Sequence, residues 1–212
     1  MDSVRKGRGN QLIGIVDYGV GNLGSVYNAL TRLGFPVLIS SDIEEINNCK
    51  GLILPGVGAF KDAMDNLNYR ELSACIKQYA YDGKPILGIC LGMQLLYEKS
   101  HEDGIWDGLG ILQGEIVQFD HGLKVPHMGW NKLIKNIDDP MTDGIGSDEY
   151  VYFVHSYYLN TKQSGEVLFW TECGIQVPAV IRKNNVIGMQ FHQEKSGATG
   201  MKLLKNFGEM IG

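Results

Sequence analysis

No apolar run in these 212 residues is long enough to span a bilayer. The polar start, Met1 to Gln11 with Arg5, Lys6 and Arg8, lacks the apolar core of a signal peptide. A soluble, cytoplasmic protein with a disordered tail over residues 1–10 is therefore expected. Cysteine is sparse: Cys49, Cys75, Cys90 and Cys173 are widely spaced and form no CxxC pair. That pattern suits a reducing compartment and offers neither a disulfide framework nor a metal site. A basic stripe is missing too, and a net charge of -5 argues against nucleic acid as a partner. Internal repeats, low-complexity tracts and linkers are also absent, which leaves one domain over residues 11–212.

What the chain does have is glycine, 28 residues of it, much of it clustered beside short apolar runs. Such clusters suit a site built from loops at strand ends. The most informative cluster lies in Pro85-Ile86-Leu87-Gly88-Ile89-Cys90-Leu91-Gly92-Met93-Gln94-Leu95-Leu96. A β-forming run stops at a cysteine flanked by glycines, and a helical pattern follows. This is the layout of a nucleophile elbow, in which a sharp strand-to-helix turn presents one reactive side chain. A Cβ at Gly88 or Gly92 would collide with the neighbouring backbone. The helix N-terminus would favour a thiolate and offer N–H groups to an oxyanion. Taken alone, the stretch fits a buried cysteine in a strand–loop–helix joint equally well.

The rest reads as alternating α/β. Leu12 to Val16, Val37 to Ile39 and Gly51 to Leu54 are strand-like, with a helix from Leu23 to Leu33 closed by Gly34 and a short one around Ile43 and Ile46. Phe60 to Tyr81 reads as two helical pieces broken near Asn68. Such alternation predicts βαβ units and a mainly parallel sheet flanked by helices in three layers. Ser100 to Gly108 is loop-like. Beyond Gly114 the runs 115–119, 132–134, 150–159, 167–171, 179–182 and 186–191 predict a smaller antiparallel β addition. A last helix over 199–211 turns Met201, Leu204, Phe207 and Ile211 inward.

Two glycine loops compete for function. Gly19-Val20-Gly21-Asn22-Leu23-Gly24 matches GxGxxG, and Asp42 follows at about the dinucleotide-fold distance. Asp17 and Tyr18 intrude before the first glycine, however, and would set a carboxylate beside any pyrophosphate. Pro55-Gly56-Val57-Gly58 follows the third strand and can turn its N–H groups toward an anion. Near the end, Phe191-His192-Gln193-Glu194 closes a strand candidate. Alternate residues of a strand share a face, so His192 and Glu194 would point together and Gln193 away. A carboxylate that orients an imidazole, together with the cysteine elbow, makes a candidate Cys90-His192-Glu194 triad. The chain order nucleophile, His, acid differs from the α/β-hydrolase order.

With those residues in place the chain resembles the class I (triad) glutamine amidotransferases, whose flavodoxin-like fold agrees with the layered reading above. The segments 17–22, 55–58, 126–131 (Pro-His-Met-Gly-Trp-Asn) and 152–157 (Tyr-Phe-Val-His-Ser-Tyr) narrow the likeness to the HisH-like glutaminase subunits of imidazole glycerol phosphate synthase. The resemblance implies that Cys90 attacks the side-chain amide of L-glutamine and forms a glutamyl thioester, while His192, oriented by Glu194, handles the protons. It implies an oxyanion hole from the Leu91 N–H and the Val57-Gly58 loop. It also implies substrate contacts from Gln94, Glu102 and the backbone at His155, Ser156 and Tyr157. No cofactor is implied. The implied partner is a (β/α)8-barrel cyclase subunit in a heterodimer of histidine biosynthesis, reached by Met128, Trp130, Tyr152 and Lys195. On the residues alone, Met128 and Trp130 could equally be core filling.

The chain departs from that family in having Gln193 where proline is usual between the triad His and acid, and in its extra N-terminal residues. Such divergence also fits HisH-like paralogues that supply ammonia for amidation of a nucleotide sugar in surface polysaccharide synthesis. Two readings of other classes stay open at this stage. One is a dinucleotide-binding module, and the other a catalytically silent or thiol-sensing protein.

Overall fold

The computed structural model describes residues 11–119 and 125–211, so the expected tail over 1–10 lies outside the described residues. The first half alternates β1 (Ile13–Val16), α1 (Leu23–Arg32), β2 (Val37–Ser40), α2 (Ile43–Asn48), β3 (Gly51–Leu54), α3 (Phe60–Tyr69), α4 (Leu72–Tyr81), β4 (Ile86–Ile89) and α5 (Leu91–Leu95). The second half is strand-rich. It runs β5 (Lys99–Ser100), β6 (Trp106–Asp107), β7 (Glu115–Gln118), β8 (His127–Lys132), β9 (Ile134–Lys135), β10 (Tyr150–His155) and β11 (Tyr157–Asn160). Then come β12 (Val167–Glu172), β13 (Gln176–Lys183), β14 (Val186–Met189) and α6 (Gly197–Met210). Among the described residues no helix is long and apolar enough to cross a membrane.

Eight strands form the central sheet in the order β2-β1-β3-β4-β14-β13-β12-β9. The pairings from β2 through β14 are parallel and the last three antiparallel. Its inner strands β1, β3, β4 and β14 are buried at every residue, as parallel strands covered by helices must be. Along β3, Ile53 faces a core shared with α1 and α6, whereas Leu52 and Leu54 face one shared with α3, α4 and α5. On α6, Leu204 and Phe207 are fully buried, and Met201, with Ile211 just past the helix end, is partly buried against the same core. The expected three layers are therefore present.

The antiparallel part is more divided than expected. Besides extending the main sheet, it forms a β8–β10 ribbon and a four-stranded sheet β11-β7-β5-β6. The single strand expected over 150–159 breaks at Ser156 and feeds both. The break is held locally, since His155 Nδ1 bonds the Tyr157 carbonyl at 2.9 Å and Phe119 N–H bonds the Ser156 carbonyl at 3.3 Å. The strand expected at 132–134 is the junction of two, with Leu133 buried between β8 and β9. The loop expected over 100–108 contains β5 and β6, too short to leave a pattern.

The register of the sheet positions the site. Gly88 lies beside Gly188 and Ile89 beside Met189, so residues just past the ends of β4 and β14 emerge side by side. The carboxyl ends of parallel strands are where open α/β sheets hold ligands.

Candidate active site

Cys90 occupies a backbone conformation that side chains rarely adopt, φ 53° and ψ −113°. Such geometry costs about 1–3 kcal/mol and persists only where the surroundings over-determine it. Here they do. The Cys90 N–H bonds the Met189 carbonyl at 2.8 Å, and its carbonyl accepts from the Gln94 N–H at 3.2 Å. The glycines give the turn its room: a Cβ on Gly92 would sit 1.8 Å from the Leu54 oxygen, and one on Gly88 2.6 Å from Met93 Cα. Leu91 opens α5, so its N–H has no intrahelical acceptor. The elbow is thus formed as the sequence predicts, with Cys90 lining a cavity of about 260 Å³.

His192 lines the same cavity as Cys90 and, through Nδ1, hydrogen-bonds Glu194 Oε1 at 3.1 Å. Both members of the His–Glu pair are buried, with side chains 3% and 4% exposed. The strand geometry expected for this pair is wrong. β14 ends at Met189, and Gln193–Lys195 is a 3-10 turn. The turn, rather than strand alternation, brings the carboxylate back under the imidazole. Gln193 points away, as expected, but into the interior, where neither of its amide atoms has a partner.

Burial pushes the His192 imidazole down, but its interactions with Cys90 and Glu194 outweigh this and raise the ring to about 9. Burial alone would raise the Glu194 carboxyl, yet the bond to His192 and that ring's charge hold it below its usual range. The arrangement stabilises an imidazolium between a thiol and a carboxylate.

Every substrate and oxyanion residue expected from the sequence lines this one cavity: Val57, Gly58, Leu91, Gln94, Glu102, His155, Ser156 and Tyr157. Their freedom differs. Gln94 Nε2 is already committed to the Tyr157 carbonyl (3.1 Å) and Gln190 Oε1 (3.0 Å), which leaves Oε1 for a ligand. Glu102 Oε2 accepts from the Phe60 N–H at 2.6 Å, at the start of α3. Burial raises the Glu102 carboxyl above its ordinary value, and the Phe60 bond opposes that. Burial lowers His155 to about 4, so its ring is neutral near pH 7. At the Val57-Gly58 loop, Gly58 has φ +99° and Val57 is exposed.

Three contributors escape the sequence reading. Gln190 Nε2 and the Val154 carbonyl each lie 3.9 Å from Cys90 Sγ. Tyr18, fully buried, donates its hydroxyl to the Pro55 carbonyl at 2.6 Å and so clamps the root of the 55–58 loop. Gln190 and Val154 lie in ordinary strand-end sequence with no local signal. Tyr18 had one, in the residues that interrupt GxGxxG. That glycine segment packs on the same loop, with Gly21 backing onto Pro55 at 3.5 Å for an added Cβ.

Met128 and Trp130 do not fill the core. They alternate outward along β8 and are 60% and 55% exposed. Tyr152, opposite Trp130 in the ribbon, meets its ring edge-on at 5.9 Å, and Lys195 is exposed nearby in sequence to the triad. Tyr150, also exposed, extends the same face.

Residues 14–210 match the family model for glutamine amidotransferase class-I. The chain is 54% identical to the imidazole glycerol phosphate synthase subunit HisH of Caldanaerobacter subterraneus subsp. tengcongensis, over 94% of this chain and 98% of that protein. It is 49% identical to the HisH subunit of Geobacillus thermodenitrificans, over 92% and 94% of the two chains. Among solved structures, PurLQS from Thermotoga maritima shares the fold with a TM-score of 0.75 at 21% identity, over 96% of this chain and all of that one. The elbow, the pocket and near-complete alignment thus agree: the chain belongs to the class-I glutamine amidotransferases and, within them, to the HisH subunits of imidazole glycerol phosphate synthase.

Proposed function

We propose that Cys90, His192 and Glu194 are the catalytic triad of this glutaminase. The observation that carries the reading is that Cys90 and His192, the latter bonded to Glu194, line one pocket together with Glu102. The Cys90 thiolate attacks the side-chain amide carbon of glutamine, and the imidazolium of His192 protonates the departing ammonia. Water, deprotonated by the now neutral His192, then attacks the thioester, expelling the thiolate and releasing glutamate. Glu194 keeps the ring in one tautomer and stabilises its charge. The tetrahedral oxyanion is held by the Leu91 N–H and an N–H of the Val57-Gly58 loop. Glu102 receives the substrate's α-ammonium, and Gln94 Oε1 with the backbone at His155, Ser156 and Tyr157 receives the rest.

Ammonia released into water becomes ammonium and loses its nucleophilicity, so the reading includes a docked acceptor subunit. The relatives are named as subunits of a synthase, and the partner of the right kind is a (β/α)8-barrel cyclase. The exposed stripe Met128–Trp130–Tyr150, with Tyr152 and Lys195, is the docking face, because apolar side chains in water on a ribbon bonded to His192 mark an interface. The names of the relatives favour this over a nucleotide-sugar paralogue, and the role of Tyr18 and Gly21 under the oxyanion loop leaves GxGxxG no dinucleotide to explain.

Labelling with 6-diazo-5-oxo-norleucine tests the triad. One adduct on Cys90, lost in Cys90→Ala, is expected; no adduct even with partner present would return the chain to the silent, thiol-sensing class. Glutamine turnover, alone and with the barrel subunit plus its ligand, tests the docking. A large increase on docking is expected, because Gly58 allows the loop to rotate a peptide. Equal rates would contradict it.

A further inference from the structure

Where His155 lines the pocket, its side chain also belongs to a cluster whose ring and thiol chemistry the glutaminase reading does not use. His127 and His155 face each other across the β8–β10 ribbon, with ring centroids 5.4 Å apart at 81°. Cys173, just past the end of β12, brings its Sγ to 3.2 Å from His127 Nε2. One ligand atom from each of the three residues lies within 4.8 Å of the other two. We propose that His127, His155 and Cys173 form a binding site for a zinc-class divalent ion.

The donor set is chemically apt. A thiolate and two neutral imidazoles suit a borderline-soft ion, and tetrahedral zinc places such donors roughly 3.3–3.8 Å apart. Closing the cluster onto an ion therefore needs side-chain shifts on the order of an ångström.

An independent observation points to a ligand. His155 is 6% exposed and its Nδ1 bonds the Tyr157 carbonyl, which orients the ring and leaves Nε2 as the lone-pair atom. That Nε2 is buried with no hydrogen-bond partner. A metal-binding histidine is held in this way, one nitrogen on a backbone carbonyl and the other toward the ion. An unpartnered buried nitrogen is otherwise a cost without return.

The surroundings fit as well. Phe119 and Phe153 pack around both imidazoles at centroid distances of 5.2–6.1 Å, forming an apolar shell. Asn131 holds its amide in place through Nδ2 on the Glu172 carbonyl (2.8 Å) and sets Oδ1 at 3.0 Å from His127 Nε2. When the ion enters, Cys173 releases its thiol proton to solvent. His127 moves its ring proton from Nε2 to Nδ1, which frees Nε2 to coordinate. Asn131 Oδ1 is then placed to complete the sphere, directly or through a water. The bound ion would tie the β8–β10 ribbon to the end of β12.

Cobalt(II) titration of the full chain carrying Cys90→Ala tests the site without the triad thiol. One equivalent is expected to give a thiolate-to-cobalt charge-transfer band and tetrahedral visible bands, both discharged by zinc. Adding Cys173→Ser should abolish the charge-transfer band. His127→Gln should weaken binding at least about tenfold. Cys49→Ser with Cys75→Ser should leave the bands unchanged and serves as the folded control. Absence of a charge-transfer band through millimolar cobalt, or its survival in Cys173→Ser, would overturn the assignment.

Discussion

The carbonyl of Tyr152, on the exposed ribbon, accepts the N–H of His192 at 3.2 Å, so the outward-facing strand and the imidazole share a main-chain bond. Ser196 reinforces it. Its hydroxyl donates to the His192 carbonyl at 2.6 Å and accepts from the Tyr152 N–H at 3.0 Å. Three hydrogen bonds thus tie the ribbon to the triad histidine, with no loop between, and on the proposed docking they would carry a partner's pressure to it.

Ser196→Ala removes that brace while leaving every pocket side chain in place. Loss of one buried bond pair corresponds to about 1.4 kcal/mol, or roughly tenfold in rate. A fall of that size in kcat of the complex with KM nearly unchanged is expected from steady-state glutaminase assays. A rise in KM alone would argue against the brace.

Glu194→Gln tests the electrostatics. With Glu194 present the imidazolium persists to about pH 9. The raised ring contributes stability that is full below its unfolded value near 6.5 and is lost as pH climbs through about 9. The alkaline limb of kcat/KM and the fall of the urea midpoint above neutral pH should therefore both shift to lower pH in the variant. Identical pH profiles would remove Glu194 from the triad.

Tyr18→Phe deletes the bond to the Pro55 carbonyl and leaves that buried oxygen unsatisfied. A loss of about 1–3 kcal/mol in unfolding free energy is expected, with a drop in kcat as the 55–58 loop loosens. Denaturant unfolding and turnover on the same preparation would check both.

Trp130→Ala should leave the melting temperature within a degree or so, since the ring is 55% exposed. Affinity for the barrel subunit should fall at least tenfold, as for a central aromatic anchor. Calorimetric titration measures it, and unchanged affinity would move the interface elsewhere.

Gln193→Pro should stabilise by about 1 kcal/mol. Gln193 opens a 3-10 turn after an extended His192 (φ −91°, ψ 106°), which is the setting proline prefers, and its N–H has no acceptor among the described bonds. The change also removes two buried amide atoms that have no partner. Thermal unfolding gives the sign directly.

What the amino acids alone determined was local. Gly88-Ile89-Cys90-Leu91-Gly92 specifies its elbow because no side chain fits at either glycine, and the alternating α/β order follows from short apolar runs between helical ones. The expected site residues converged on one pocket because they follow successive strand ends of a parallel sheet. The reach of the imidazole to its acid was decided differently, by a 3-10 turn that period-two reasoning cannot see. Gln190, Val154 and Tyr18 acquired their places from register and from contacts across more than thirty residues. The break at Ser156, and with it the facing of His127 on His155, arose only when one apolar run had to pair with two different strands. Such pairings depend on which edges are free after the sheet assembles, and no stretch of sequence encodes that by itself.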